Sequence, residues 1–365
     1  LDEVQLTERL IGFDTATADG LAQALDFIEG VLAGCGAQVE RRHLADRECV
    51  VAVAGSGGPR IIFHGHVDVV PGHEDQYVPQ IRDGRLYGRG AYDMKGALAA
   101  MMLALGDLAH ELDGATVELI VVPDEEGSAF GKNCTEMLVD NGLRADLVIC
   151  GEPTDMQIGV QAKGVLMLRA QVEGVAAHGS TPWLGQSAIL NGVAMYHEIA
   201  NLPFAKASTP LFAQPSINLG RIAGGDAVNK VADHCVLDID IRYLPGQDPD
   251  DVLQQIRGVG DWQLEVLLER EPAYVDSRHP LVAALLDAAS AHEPAAASVG
   301  RDGASDAVAF LRVGVPAVEF GPRGAGHHGP QEYVEVESLF TYRQALVTFA
   351  REIAGSSIHT SAEVG

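Results

Sequence analysis

"VELIVVPDEEGS", residues 117–128, is the stretch that decides how the chain is read. Residues 117–122 form a β-branched, apolar run that predicts a buried strand. Pro123 ends it, and Asp124, Glu125 and Glu126 follow at once. Ionised carboxylates crowded at the end of a buried strand repel one another and resist desolvation unless something positive lies among them.

The same arrangement recurs outward along the chain. "RIIFHGHVDVV" (60–70) reads as a strand bearing His66 and Asp68 at its far end. "ADLVIC" (145–150) is followed by Glu152, and "VPAVEF" (315–320) by "GPRGAGHHGPQEY" with His327 and His328. Asp93 follows "YGRGAY" at the head of "DMKGALAAMMLALGDLAHEL" (93–112), a helix apolar nearly all round and therefore buried. Open α/β sheets bind ligands at the carboxyl ends of their strands, where these residues gather. Singly, Asp93 reads as a helix N-cap and Glu126 as a solvated loop group. Together, a mixed His and carboxylate set suits Zn²⁺ or a similar divalent ion.

Around these strands, helices are expected at 3–13, 21–34, 131–142, 280–292, 305–313 and 336–354, and a further strand at 49–55. Continuous apolar strands alternating with helices predict an α/β layer fold with a mixed sheet flanked by helices. Between about 165 and 272 the strands become amphipathic, as in "LMLRAQVEG" and "VLDIDIRYLPG", and enclose a helix at 187–202. That pattern predicts an inserted α+β domain with an antiparallel sheet. The expected organisation is a catalytic domain of residues 1–164 and 273–356, an insertion of 165–272, and a disordered tail of 357–365.

Bulk properties exclude some functions. A chain of 365 residues with formal net charge −26 lacks the basic footprint that nucleic acid or an anionic membrane requires. No apolar run is long enough to cross a bilayer as a helix. "LDEVQLTERL" lacks the basic and apolar regions of a signal peptide. Five scattered cysteines without a CxxC fit neither a disulfide framework nor a cysteine zinc site, so a cytoplasmic setting is expected.

"HGHVDVVP" (64–71), "GRGAYDMKG" (88–96), "DEEGS" (124–128), "GEPT" (151–154) and "GHHGPQEYV" (326–334) together resemble the ordered signatures of the M20 metallopeptidases. That family includes acetylornithine deacetylase, succinyl-diaminopimelate desuccinylase, aminoacylase and a folate-cleaving carboxypeptidase. The resemblance implies a zinc-peptidase-like catalytic domain, with the insertion as a lid and dimerisation domain. It implies a centre of two divalent ions, Zn²⁺ first, with Co²⁺ or Mn²⁺ as alternatives. His66 and Glu152 would hold one ion, Glu126 and His328 the other, and Asp93 would bridge them. His328 is preferred to His327 because the family's ligand stands four residues before a Glu, here Glu332. A cis peptide bond after Asp93 is also implied. Asp68 would orient His66, and Glu125 would act as general base.

In the insertion, "EGVAAHGSTPWLGQSAI" (173–189) resembles the family's lid segment. His178 would donate to the oxyanion, from the opposite subunit in dimeric members. "GGDAVNKVADHC" (224–235) and "DIR" (240–242) imply Asn229 near the substrate and Arg242 on its carboxylate. Departures concern the substrate: Ser187 stands where an Asn is common, Lys163 where the desuccinylase has an arginine, and "REPAY" replaces "RKPEF". Residues 72–84 are short and lack a "W…PF" element.

The expected activity is hydrolysis of an N-acyl amino acid or dipeptide next to a free carboxylate, by a homodimer paired through the insertion. The alternatives are an aminopeptidase with the same dinuclear centre, which would demand a free amine, and an inactive binding protein on the same fold. The latter would have lost a ligand or the base, and none is missing.

Overall fold

The computed structural model describes residues 1–127, 131–303 and 305–355. The expected tail and Ser128 lie outside the described residues. Two compact units divide the chain: one of Leu1–Val160, Val275–Val299 and the chain from Ser305 onward, the other of Gln161–Tyr274 with a short stretch from Gly300.

The first unit begins with α1 (Glu3–Ile11) and α2 (Ala18–Gly34), then β1 (Gln38–Leu44), β2 (Arg47–Ser56) and β3 (Arg60–His66). The hairpin of β4 (Gln80–Arg82) and β5 (Arg85–Tyr87) precedes α3 (Gly96–Leu108), β6 (Ala115–Val122), α4 (Cys134–Asp140), β7 (Leu147–Cys150) and β8 (Ile158–Ala162). The second unit holds β9 (Gly164–Glu173), α5 (Ala188–Ile199), β10 (Ser216–Gly224), β11 (His234–Tyr243), α6 (Pro249–Arg257) and β12 (Trp262–Arg270). The chain returns through β13 (Ala273–Tyr274), α7 (Pro280–His292), β14 (Ser298–Arg301), α8 (Ala307–Leu311), β15 (Ala317–Glu319), β16 (Gly324–Ala325), β17 (Tyr333–Glu335) and α9 (Val336–Gly355).

The main sheet runs β1-β2-β6-β3-β7-β15-β8, mixed as expected. Its centre is parallel: β3 pairs in parallel with β6 and β7, and β15 with β7. In that register His66 lies beside Val122, and His64 beside Cys150. The carboxyl ends of β3, β6 and β7 therefore share one edge, which brings His66, the 124–127 turn and Glu152 together.

Several elements differ from the sequence expectation, each for a physical reason. β1, "QVERRHL", escapes an apolar reading because it is a half-exposed edge strand whose Arg41 pairs with Asp26, Glu29 and Glu48. The strand expected to 70 ends at His66, although Val67 and Val69 stay buried. Glu118 sits inside buried β6 because Arg60, with Arg42 at 3.8 Å, compensates its charge.

The helix expected from residue 93 starts at Gly96. Ala91–Lys95 forms a wider turn in which Asp93 and Met94 have non-helical angles and share a cis peptide bond. From Gly96 on, Ala, Leu and Met are strong helix formers, and Leu98, Met101 and Leu105 are fully buried. α3 lies against α1, α9 and β6, and each of its leucines contributes about 2 kcal/mol of burial.

The second unit is an antiparallel sheet in the order β10-β11-β9-β12. Leu166, Leu168 and Ala170 of β9 and Leu237, Ile239 and Ile241 of β11 point into one core with α5 and α6. The alternating burial along β9 and β11 is the period-two pattern read from the sequence.

Candidate metal centre

Strand ends and one turn supply the side chains. His66 is the last residue of β3 and only 1% exposed. Its Nε2 lies 3.2 Å from Asp93 Oδ1, while Nδ1 faces the Asp68 backbone carbonyl at 3.0 Å and the Asp68 carboxylate at 3.5 Å. Asp93 turns its other oxygen, Oδ2, to His328 Nε2 at 3.4 Å. His328 Nε2 also lies 2.7 Å from Glu126 Oε1. Of the two adjacent histidines, His328 meets the carboxylates; His327 packs edge-on against Tyr92.

Three groupings bring one potential ligand atom from each member within 4.8 Å of the others: His66/Asp93/Glu152, Asp93/Glu126/His328 and His66/Glu125/Glu126. Asp93 belongs to two of them.

Close approach of backbone shapes the floor. A Cβ on Gly65 or Gly151 would stand 2.6 or 2.5 Å from the Met94 methyl, so the two glycines leave the slot that Met94 fills. Met94 sulfur in turn lies 3.3 Å from the His66 backbone nitrogen, which donates to it.

Electrostatics test whether a cation fits. Burial, only partly offset by His66, pushes the Glu125 carboxyl up to about 8. Burial likewise raises Glu152 well above the usual carboxylate range. Burial works the same way on Asp93, but hydrogen bonds from His328 and His66 outweigh it and hold that carboxyl below its usual range. Burial lowers His66, yet the hydrogen bonds to Asp68 and Asp93 prevail and raise it. Hydrogen bonds to Asp93 and Glu126 raise His328 to about 10. Among the described residues, no lysine or arginine pairs with Asp93, Glu125, Glu126 or Glu152. Within those same described residues, Glu125 and Glu152 make no side-chain hydrogen bond or ion pair either. A buried acidic donor set with only histidines for compensation fits divalent cations.

Residues 62–352 match the M20/M25/M40 family of peptidases. The chain belongs to that family. It is therefore a metal-dependent hydrolase of amide or peptide bonds. A succinyl-diaminopimelate desuccinylase from Rhodospirillum centenum is 31% identical over 369 residues, covering 93% of this chain and 94% of the relative. Among solved structures, a tripeptidase from Staphylococcus aureus superimposes with TM-score 0.79 at 20% identity, covering 97% of this chain and 98% of that one. The aminopeptidase PepT from Bacillus cereus gives 0.78 at 21% identity, covering 96% and 98%. These two structural likenesses concern the fold.

Around the candidate donor set lie contacts that the sequence reading did not foresee, some of them at residues it passed over. The Asp68 carboxylate accepts the backbone N–H groups of Glu125, Glu126 and Gly127 at 3.1, 2.9 and 3.3 Å. Asp306, buried, accepts from Asn133 Nδ2 at 2.6 Å and Thr135 Oγ1 at 2.5 Å, and Thr135 Oγ1 lies 2.8 Å from His64 Nε2. This network fastens the start of α4, just past the acidic turn. Glu332 served only as a landmark for His328, yet its carboxylate binds the backbone of Asp93.

The remaining sequence candidates belong to the second unit. Ser180 N–H donates to His178 Nδ1 at 3.1 Å, with Ser180 Oγ at 2.8 Å. Gly179 N–H donates to the Asn229 carbonyl at 2.7 Å, and His178 bridges antiparallel to Lys230, so the His178 and Asn229 segments run together. Arg242 Nε and Nη2 engage Asp240 at 2.9 and 3.1 Å. No helix among the described residues is long and apolar enough to cross a membrane.

Proposed function

We propose that this M20 protein is a two-metal amidohydrolase that cleaves an N-acyl amino acid or a dipeptide next to a free carboxylate. The observation that carries the reading is the Asp93 carboxylate. One oxygen faces His66 Nε2 at 3.2 Å and the other faces His328 Nε2 at 3.4 Å, as a ligand shared between two seats would. His66 and Glu152 would complete one seat, Glu126 and His328 the other.

Bound there, divalent ions (Zn²⁺ first, Co²⁺ or Mn²⁺ otherwise) would supply Lewis-acid polarisation of the scissile carbonyl and acidify water. Glu125, which makes no side-chain hydrogen bond among the described residues, takes a proton from the attacking water and delivers it to the leaving nitrogen.

His178 is assigned as oxyanion donor. Because Nδ1 accepts the Ser180 N–H, a neutral imidazole carries its proton on Nε2, the donor that role requires. Arg242, held by Asp240 along one edge, and Asn229 are assigned to the substrate's carboxylate end. A homodimer through the inserted unit, with His178 serving the opposite subunit, completes the proposal. Its support is the open edge of β10 and the exposure of Trp183, Leu190 and Val228 in the same unit.

The test is amine release by Zn²⁺- or Co²⁺-loaded protein from panels of N-acyl amino acids, dipeptides and free-amine tripeptides. Turnover confined to substrates with a free carboxylate beside the scissile bond supports the proposal. A requirement for a free amine instead would assign an aminopeptidase. Protein that takes up no cation would overturn the metal reading altogether.

A further inference from the structure

The Glu332 carboxylate is shut away from water and gathers four donors. Oε1 accepts the backbone N–H groups of Tyr92 and Asp93 at 3.1 and 3.0 Å. Oε2 accepts Gly90 N–H at 3.0 Å and Arg89 Nη1 at 2.9 Å. The Glu332 and Arg89 side chains are 1% and 4% exposed. Burying such a pair costs several kcal/mol per ion unless the remaining hydrogen-bonding sites are filled; backbone groups fill those of Glu332 and engage Arg89 Nη2, while Arg89 Nε has no partner among the described residues. Gly90, at φ +77°, makes the turn that aims three amides of one short segment at a single carboxylate.

The guanidinium has a second target. Arg89 Nη2 donates to the backbone carbonyl of His328 at 3.3 Å, 239 residues away along the chain. One ion pair thus holds the backbone of Asp93 on one side and that of His328 on the other. His66 and Glu152 need no such device, because β3 ends at the one and β7 ends two residues before the other, and both strands are fixed by the sheet.

We propose that Arg89 and Glu332 are positioning residues that set the separation of Asp93 and His328, and so build the seat formed by Asp93, Glu126 and His328. The inference rests on the reading of those three as metal ligands. Partners that orient metal ligands typically change affinity by about 10- to 100-fold when removed. The loss here falls on one seat of the two.

The experiment is calorimetric Zn²⁺ titration of the metal-stripped full-length protein, with Co²⁺ absorption spectra as a second readout. It compares wild type with Glu332→Gln, Arg89→Lys and Arg343→Met. Glutamine keeps the shape of Glu332 but offers one acceptor where four donors converge. Lysine is a compact point charge and lacks the planar fork by which Arg89 addresses Glu332 and His328 from separate nitrogens. Arg343 pairs with Asp107 and Glu3, neither of them a proposed ligand, so its loss reports general destabilisation.

Wild type should bind two equivalents. Glu332→Gln and Arg89→Lys should keep the first and bind the second about 10- to 100-fold more weakly, with an altered Co²⁺ band for that equivalent only. Arg343→Met should keep both while melting earlier. A folded Glu332→Gln or Arg89→Lys that binds the second equivalent within twofold of wild type overturns the proposal. So does equal weakening of both equivalents, or the same loss in Arg343→Met. If Glu332→Gln does not fold, Arg89→Lys decides the matter alone. A wild type that binds no cation sinks the ligand reading, and this inference with it.

Discussion

The Asp68 carboxylate accepts the backbone N–H of Glu126 at 2.9 Å. That bond joins the strand end carrying His66 to the turn carrying both glutamates, and two further amides of the same turn share the acceptor. Asp68→Ala leaves all three N–H groups without it. The expected result is a fall in kcat on the order of 10²-fold, since a small misplacement of Glu125 is enough for that. Steady-state kinetics with metal analysis checks it; unchanged kcat at full metal content would refute the role.

Glu125 lies near enough to His66 and Glu126 to ligate, so distance alone does not separate base from ligand. Glu125→Gln does. Loss of a general base lowers kcat by roughly 10²- to 10⁴-fold and leaves metal content intact. Loss of a ligand lowers bound metal as well, and that outcome would reassign Glu125.

Chelation should strip activity and lower the melting temperature together. On the proposed reading cations would compensate the Glu125 and Glu152 carboxylates, which burial raises, and a ligand present at 100 times its Kd stabilises by about 2.7 kcal/mol. Scanning calorimetry before and after a chelator, then after Zn²⁺ is restored, measures this. An unmoved melting temperature would mean the acidic cluster folds without a cation.

Much of the centre was legible because it is local. His66 ends an apolar strand, Glu126 and Glu152 follow one within four residues, and parallel pairing does the rest. His328 was legible through its motif. Arg89, Glu332 and Asp306 were not, because what gives them meaning lies far along the chain: Arg89 meets Glu332 across 243 residues, and Asp306 meets Thr135 across 171. β1 was missed since charge pairing, rather than apolar burial, holds its outer face. The small sheet of β16, β17, β5 and β4 was missed because its strands are three residues long or fewer, too short for any period to show.

Tyr243 gives the second unit an alkaline limit. Burial pushes its phenol up to about 12 from an ordinary 10, and its hydroxyl donates to the Arg270 carbonyl at 3.0 Å. A folded pKa above the unfolded one means stability is full below pH 10 and is lost as pH climbs through about 12. Tyr243→Phe should be less stable near neutrality by about 1 kcal/mol for the lost bond, and should flatten the decline above pH 10. Urea midpoints from pH 8 to 11.5 test both; parallel curves would exclude Tyr243 as the source.

The cysteines should divide by accessibility. Cys49, Cys134, Cys150 and Cys235 are buried, and burial raises each thiol, Cys49 to about 11. Cys35 alone is half-exposed. A chromogenic disulfide reagent at pH 8 should titrate one thiol in the native protein and five in denaturant. Rapid reaction of a second thiol would show that one of the buried four opens to solvent.

β15 lies between β7 and β8 in the main sheet, yet it is made only after every strand of the second unit. During synthesis the apolar parallel edge of β7 therefore stands open until residue 317 has left the ribosome, and such an edge invites pairing with a neighbouring nascent chain. The four strands of the inserted unit are consecutive in sequence, so β9 waits only until β11 and β12 are made, by residue 270. A polysome would carry finished inserts beside unfinished hosts, so the vulnerable interval in the life of this enzyme comes before its last helix is translated.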